Sequence, residues 1–171
     1  MTGPTRDRVD LPDMTDLHQG ERLGDLRRRI DGWLDEFAAG NPLIAAVDRG
    51  TSDDTTFGEP RWYVRMVGEE KDFITVWLTL GQRMLHYETY VMPAPEENVT
   101  AVMEFVLLRN DQLVGAHFSV GAEDALYLRG EVPDAAVTAD ELDRVLGTMY
   151  TTVEANFRPL LRLAFASRYG G

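Results

Sequence analysis

The chain has 171 residues, of which 44% are apolar and 27% charged, so it is long enough to bury one core and has no apolar run of membrane-spanning length. Its formal charge of −12 opposes binding to the phosphate backbone of nucleic acids, and the absence of cysteine excludes disulfides, thiol nucleophiles and thiolate metal sites. We therefore expect one soluble domain that binds neither nucleic acid nor a membrane.

The N-terminal part divides into a polar segment and an amphipathic helix. Residues 1–20 carry four aspartates and two prolines but no apolar h-region, which predicts a mobile tail, no secretory signal and a cytoplasmic protein. From Leu23 to Phe37 the apolar residues recur at spacings of three and four, which predicts a helix over about 22–39. Residues 21–171 then form a single domain.

Four strand segments follow this helix, separated by turn signals. They are predicted at 43–47, 61–67, 72–80 and 84–92. Apolar groups occur on both faces of these strands, so both faces of the sheet need a cover. We assign six residues to the second face, namely Trp62, Met66, Phe73, Trp77, Tyr90 and Met92. Either helices of the same chain cover each face, or a second copy or a client polypeptide covers this one.

The second half of the chain predicts a helix, a hairpin and a long final helix. Pro95 opens a helix that ends near Asn110, with a buried stripe composed of Val99, Val102, Met103, Val106 and Leu107. Strands at 116–120 and 125–132 form a hairpin across Gly121. Thr138 and Glu141 form a capping box that starts a helix running to about 166 with a bend at Pro159. The predicted order is α-β-β-β-β-α-β-β-α, an α+β fold with a twisted, mainly antiparallel sheet flanked by helices.

The sequence contains few of the residues and motifs that perform catalysis or bind metals in other proteins. No phosphate-binding loop, nucleophile elbow or zinc-protease motif occurs, which predicts no catalytic residue, no metal, no cofactor and no enzyme activity. The single lysine, Lys71, lies in an acidic turn and is expected to be exposed to solvent. His86 and Glu88 point to one face of a strand, and His117 joins them only if its strand is adjacent. They form either a two-histidine, one-carboxylate site or a set of ordinary strand side chains.

Several stretches resemble the YbjN family of bacterial sensory transduction regulators, in particular its actinobacterial members. They are Trp77–Leu80, Tyr87–Pro93, Phe105–Asn110, Gly115–Val120, Asp124–Gly130 and Glu141–Asp143. The resemblance runs from about Leu23 to Ala166. It implies a non-enzymatic α+β protein, often dimeric, with a fold like that of the type III secretion chaperones, which bind extended client segments on apolar patches.

Our leading hypothesis is therefore a cytoplasmic, chaperone-like or regulatory homodimer. It recognises a polypeptide partner through the six residues of the second sheet face given above. The alternative from another class is a small-molecule sensor or an unrecognised enzyme with a pocket near His86, Glu88 and His117.

Overall fold

The computed structural model describes residues 14–55 and 57–169. The helices are α1 (Met14–Gly40), α2 (Val99–Asn110), α3 (Ala139–Ala164) and the short α4 (Ala166–Tyr169). The strands are β1 (Ile44–Arg49), β2 (Arg61–Val67), β3 (Phe73–Leu80), β4 (Met84–Met92), β5 (His117–Val120) and β6 (Leu126–Pro133). The predicted order of the long helices and the strands is confirmed.

The six strands form one antiparallel sheet in the order β1-β2-β3-β4-β6-β5. The first four strands form a meander, in which each strand pairs with the next along the chain. After α2 the chain returns as the β5–β6 hairpin, and the second strand of that hairpin pairs with β4. The fold class is α+β, as predicted.

All three long helices lie on the same face of the sheet. The buried side chains of α1, α2 and α3 form one hydrophobic cluster with every second residue of the strands, such as Ile74, Val76 and Leu78 of β3. The alternate residues of β3 are half-buried or exposed. Of the two alternatives for the cover of the sheet, long helices of the same chain on each face are therefore wrong for the described part of the chain. The uncovered face is called the open face below.

Several element boundaries differ from the predictions for identifiable reasons. Helix α1 begins at Met14, inside the segment predicted to be a tail, and residues 1–13 of that segment lie outside the described residues. Helix α2 begins at Val99 because the preceding backbone N–H groups of Glu96 and Glu97 donate to the Ala164 carbonyl at 3.1 and 2.9 Å. These two bonds tie the start of α2 to the end of α3.

The capping box at the start of α3 is only half formed. Thr138 Oγ1 accepts a hydrogen bond from the Glu141 backbone N–H at 3.1 Å, as predicted. The Glu141 carboxylate, however, accepts two bonds from Arg144 at 2.6 and 2.8 Å. A charged guanidinium one turn away is a stronger donor than a backbone amide, so it takes the carboxylate. The helix then continues through Pro159 to Ala164.

None of the helices in the described ranges combines the length and the apolar character that a membrane crossing requires.

Candidate partner-binding face

The open face carries an aromatic cluster that spans four adjacent strands. Its members are Tyr63 of β2, Phe73 and Trp77 of β3, Tyr90 of β4 and Tyr127 of β6. Tyr63 lies opposite Trp77, and their ring centroids are 6.3 Å apart in an edge-to-face arrangement. Tyr90 lies opposite Tyr127 at 5.6 Å, also edge to face. Phe73 is 52% exposed and Tyr90 is 37% exposed, so part of this apolar surface is in contact with water.

Only three of the six residues assigned to the second face lie on it. Phe73, Trp77 and Tyr90 do, whereas Trp62 and Met66 are 1% and 4% exposed and belong to the core. The register decides this, because Trp62 pairs with Leu78 and Met66 with Ile74, both of which point to the helices. The alternation within β2 was predicted correctly, but its assignment to a face was wrong.

The indole of Trp62 also has a polar partner at the edge of the core. Its Nε1–H donates to Asp31 Oδ1 of α1 at 2.8 Å, and Asp31 additionally accepts a bond from Arg49 Nε at 2.8 Å. A buried tryptophan needs such an acceptor for its single donor. Asp31 is a residue that the sequence analysis missed, since its partners lie far away along the chain.

Met92 lies in the core because of a β-bulge. Tyr90 pairs with Tyr127 and Met92 with Leu126, so β4 advances by two residues while β6 advances by one. The extra residue reverses the alternation at the end of β4, and Met92 turns inward with 1% exposure. The assignment of Met92 to the second face was therefore wrong.

The polar half of the open face contains the predicted pocket residues. His86 pairs with Glu131 across β4 and β6, while Glu88 and His117 both lie opposite Arg129. Together they border an open depression of about 490 Å³ that also reaches Trp77. The structure thus places the two histidines and the glutamate on one face.

A metal site is not formed by these three side chains. Arg129 stands between Glu88 and His117, and its Nε donates to Glu88 Oε2 at 2.7 Å. His86 Nδ1 lies 3.4 Å from Glu131 Oε2. Among the side chains described, those of residues 18–51, 53–55 and 57–169, no three His, Asp or Glu groups come close enough together to hold a metal ion. The Glu88 carboxylate forms an ion pair with Arg129, so these three side chains do not provide a free set of metal ligands.

Lys71 is not the exposed turn residue that its acidic neighbours predict. Its side chain lies against the rings of Tyr90 and Phe157, and Nζ donates to the Tyr90 carbonyl and, at 3.0 Å, to the Val91 carbonyl. Burial lowers the pKa of Lys71 to about 8. The turn is held by Glu154 of α3, whose carboxylate accepts three backbone N–H bonds from Glu69 to Lys71 at 2.7 to 3.2 Å.

A second apolar surface lies on α2 and the loop that follows it. Leu107, Leu108 and Val114 are 66%, 64% and 82% exposed. Val102 and Val106 are buried as predicted, but Leu107 and Val99 of the same predicted stripe point to solvent. Helix α2 packs on the sheet edge at β5 and on α3, so only a narrow side of it is covered.

Comparison with known proteins gives the family of this chain and two structures of related shape. An uncharacterized protein of Mycobacterium tuberculosis and one of Mycobacterium bovis are each 37% identical over 108 residues, which cover 63% of this chain and 59% of theirs. An uncharacterized protein of Mycobacterium leprae is 36% identical over 107 residues, covering 63% of this chain and 58% of its own. The chain thus matches less than two thirds of the length of these relatives.

Two solved structures align with most of the chain at low sequence identity. The Yersinia pestis type III secretion chaperone SycH, in complex with a stable fragment of YscM2, has 15% identity and a TM-score of 0.45 over 71% of this chain and 94% of its own. The heterodimeric ExoU–SpcU complex of the Pseudomonas aeruginosa type III secretion system has 16% identity and a TM-score of 0.49, over 77% of this chain and 96% of that chain. The YbjN family model, described as "Putative bacterial sensory transduction regulator", matches residues 44–162, so this chain belongs to the YbjN family.

Proposed function

We propose that this protein is a non-enzymatic binding protein that captures an extended polypeptide segment on the open face, with Phe73, Trp77 and Tyr90 as the contact residues. The observation that carries the proposal is the aromatic cluster on a sheet face that no long helix of the described chain covers. Contiguous exposed aromatic surface of this kind is typical of interaction sites. Covering it with a partner would remove apolar area from water.

The shape of the open face suits an extended chain with bulky side chains. Trp77 separates two depressions of about 490 and 450 Å³, the first lined also by His86 and Arg129 and the second by Phe73 and Tyr90. Neighbouring side chains on one side of an extended peptide could enter the two depressions on either side of the indole. Arg129 and Glu88 would then provide polar contacts at the rim of the first depression.

The family supports a regulatory outcome of this capture. A protein described as a sensory transduction regulator would control its client by holding or releasing it. In this proposal the protein acts in the cytoplasm, and cell fractionation should recover it there. Recovery in the membrane or secreted fraction would contradict that placement.

We further propose a homodimer that buries the exposed side of α2. Leu107, Leu108 and Val114 are exposed apolar side chains outside the open face. A two-fold axis would bring this surface of one copy against the same surface of the other and would leave the open face free for a client. Sedimentation analysis should give twice the chain mass for the wild type and the monomer mass for Leu107→Asp. A monomeric wild type at micromolar concentration would contradict the dimer.

The client proposal is tested by capture from a native lysate with matched variants. Trp77→Asp and Phe73→Asp place a charge on the open face, and Ala155→Asp places the same charge on an exposed position of α3. We expect some polypeptides to be captured by the wild type and by Ala155→Asp, and to be captured at least tenfold less by both open-face variants. These polypeptides should then bind the purified wild type at fixed stoichiometry. Capture of the same polypeptides by all four proteins, or of none by the wild type, would contradict the proposal.

The fold of each variant must be checked before its capture is interpreted. Phe73 is half exposed at the start of β3, so Phe73→Asp should keep the circular dichroism spectrum and the cooperative unfolding transition of the wild type. Trp77 is half-buried in the middle of the same strand, so Trp77→Asp is the more disruptive change. If Trp77→Asp unfolds, Phe73→Asp decides the test.

A further inference from the structure

Lys71 lines an apolar groove that adjoins the aromatic cluster of the open face and shares Tyr90 with it. The groove has a volume of about 250 Å³ and lies between the end of β4 and the last turns of α3 with α4. Its apolar lining includes Met92, Phe157, Leu161 and Phe165. The Lys71 groove is therefore lined by apolar side chains and, at one side, by the amino group of Lys71.

The positive charge of Lys71 is paired with none of the described carboxylates. Its ammonium carries three N–H donors, and two of them go to the neutral carbonyls of Tyr90 and Val91. Among the side chains that the structure describes, those of residues 18–51, 53–55 and 57–169, no carboxylate lies within ion-pair distance of Nζ. This is unusual in a chain of net charge −12, in which acidic residues are abundant.

The position of the ammonium is fixed by the fold. The Glu154 carboxylate holds the backbone of the Lys71 turn, and the two carbonyls hold Nζ at the bulge of β4. Such a preorganised cation loses little entropy when an anion binds to it. Burial lowers its pKa, which agrees with a half-buried ammonium that has no carboxylate partner.

We propose that the Lys71 groove binds a short apolar carboxylate, with the carboxylate on Lys71 Nζ and the hydrocarbon chain against Phe157, Leu161 and Phe165. The carboxylate would supply the missing counterion and accept the third N–H of the ammonium. The hydrocarbon chain would cover apolar side chains that now border an open groove. The site does not depend on client capture by the open face.

The size and the polar groups of the groove favour an acyl chain over a peptide. Pockets for drug-sized ligands measure about 300–1,000 Å³, so a groove of about 250 Å³ suits a single short hydrocarbon chain. A peptide would also need backbone partners, but the carbonyls of Tyr90 and Val91 are already taken by Lys71. Strand β4 lies inside the sheet and offers no free edge.

The charged groups around the groove do not oppose an anion. Arg168 of α4 lies at the rim, where it pairs with Glu96 at 2.9 Å. Glu154 of α3 is engaged with the turn amides, and Glu70 of the same turn pairs with Arg158. Glu70, Glu96 and Glu154 are thus each bound to a donor. The carboxylates of Glu69 and Asp72 in the same turn are exposed, and neither forms an ion pair with Lys71 Nζ.

The test uses octanoate as the probe and the single lysine as the reporter. In protein labelled with [13C]lysine, the Cε resonance of Lys71 is the only lysine signal, so its shift reports binding without chemical modification. Octanoate should shift this resonance saturably and raise the pKa of Lys71 from about 8 towards its ordinary value of 10.5. Octanamide, which has the same chain without the charge, should bind at least tenfold more weakly.

Calorimetry on variants completes the test. Lys71→Gln should lose at least tenfold in octanoate affinity, Lys71→Arg should keep part of it, and Arg162→Gln should bind like the wild type because Arg162 is an exposed cation outside the groove. Equal affinity of Lys71→Gln and the wild type, or no saturable shift up to millimolar octanoate, would overturn the proposal. Tighter binding of N-acetyl-leucyl-phenylalanine than of octanoate would overturn the choice of an acyl ligand.

Discussion

The stability losses caused by Trp62→Ala and Phe73→Ala test which of these two residues lies on the core face of the sheet and which on the open face. Both residues are large aromatics on neighbouring strands, and both were assigned to the same face from the sequence. In the structure Trp62 is 1% exposed and Phe73 is 52% exposed. Trp62→Ala should therefore destabilise the fold strongly, and Phe73→Ala only mildly.

The expected sizes follow from the buried area. An aromatic side chain buries about 150–250 Å², which at about 25 cal/mol per Å² corresponds to about 4–6 kcal/mol for Trp62. Measured losses for such truncations are about 3–5 kcal/mol, and here Asp31 also loses its indole donor. Phe73 has about half of its surface in water and leaves no closed cavity, so its loss should stay below about 2 kcal/mol.

Urea unfolding monitored by circular dichroism measures the difference. With a slope of about 2 kcal/mol per M, Trp62→Ala should lower the midpoint by about 1.5–2.5 M and Phe73→Ala by less than about 1 M. Equal shifts for the two variants, or a loss below about 1 kcal/mol for Trp62→Ala, would refute the assignment of faces.

Three further predictions concern single positions elsewhere in the fold. A Cβ at Gly130 would clash with the Gly115 carbonyl oxygen and the Tyr87 ring, so Gly130→Ala should lower the free energy of unfolding by about 1–3 kcal/mol. Gly147 faces open space in α3, so Gly147→Ala should raise the free energy of unfolding by about 0.5–1 kcal/mol, and the opposite order of urea midpoints would contradict the packing. Thr138→Ala removes the cap of α3 and should cost about 1 kcal/mol by the same assay, and an unchanged midpoint would show that the cap contributes nothing. Burial lowers the pKa of Lys71 to about 8, so between pH 8 and 10.5 the unfolded chain binds more protons than the folded chain. The melting temperature of the wild type should therefore rise across this pH range relative to that of Lys71→Gln. A difference between the two melting temperatures that stays constant with pH would contradict the lowered pKa.

Local patterns in the sequence were sufficient for the elements and their order. The strands 61–67 and 84–92 were predicted with the bounds that the structure has, because turn signals and alternation are properties of neighbouring residues. The hairpin across Gly121 and the Thr138 cap were predicted for the same reason. For the candidate site, Phe73, Trp77 and Tyr90 were identified as surface aromatics, and their role in binding a partner stays a prediction.

Only the tertiary structure decided which face of the sheet is covered and what surrounds Lys71. Alternation fixes which residues of one strand share a side, but the pairing of Trp62 with Leu78 depends on contacts between strands. The bulge that turns Met92 inward arises from pairing with β6, which is distant along the chain. The acidic neighbours of Lys71 predicted exposure, whereas Phe157 and the β4 carbonyls bury it. Sequence thus determined the elements through local interactions, and long-range packing determined their faces and the environment of the single lysine.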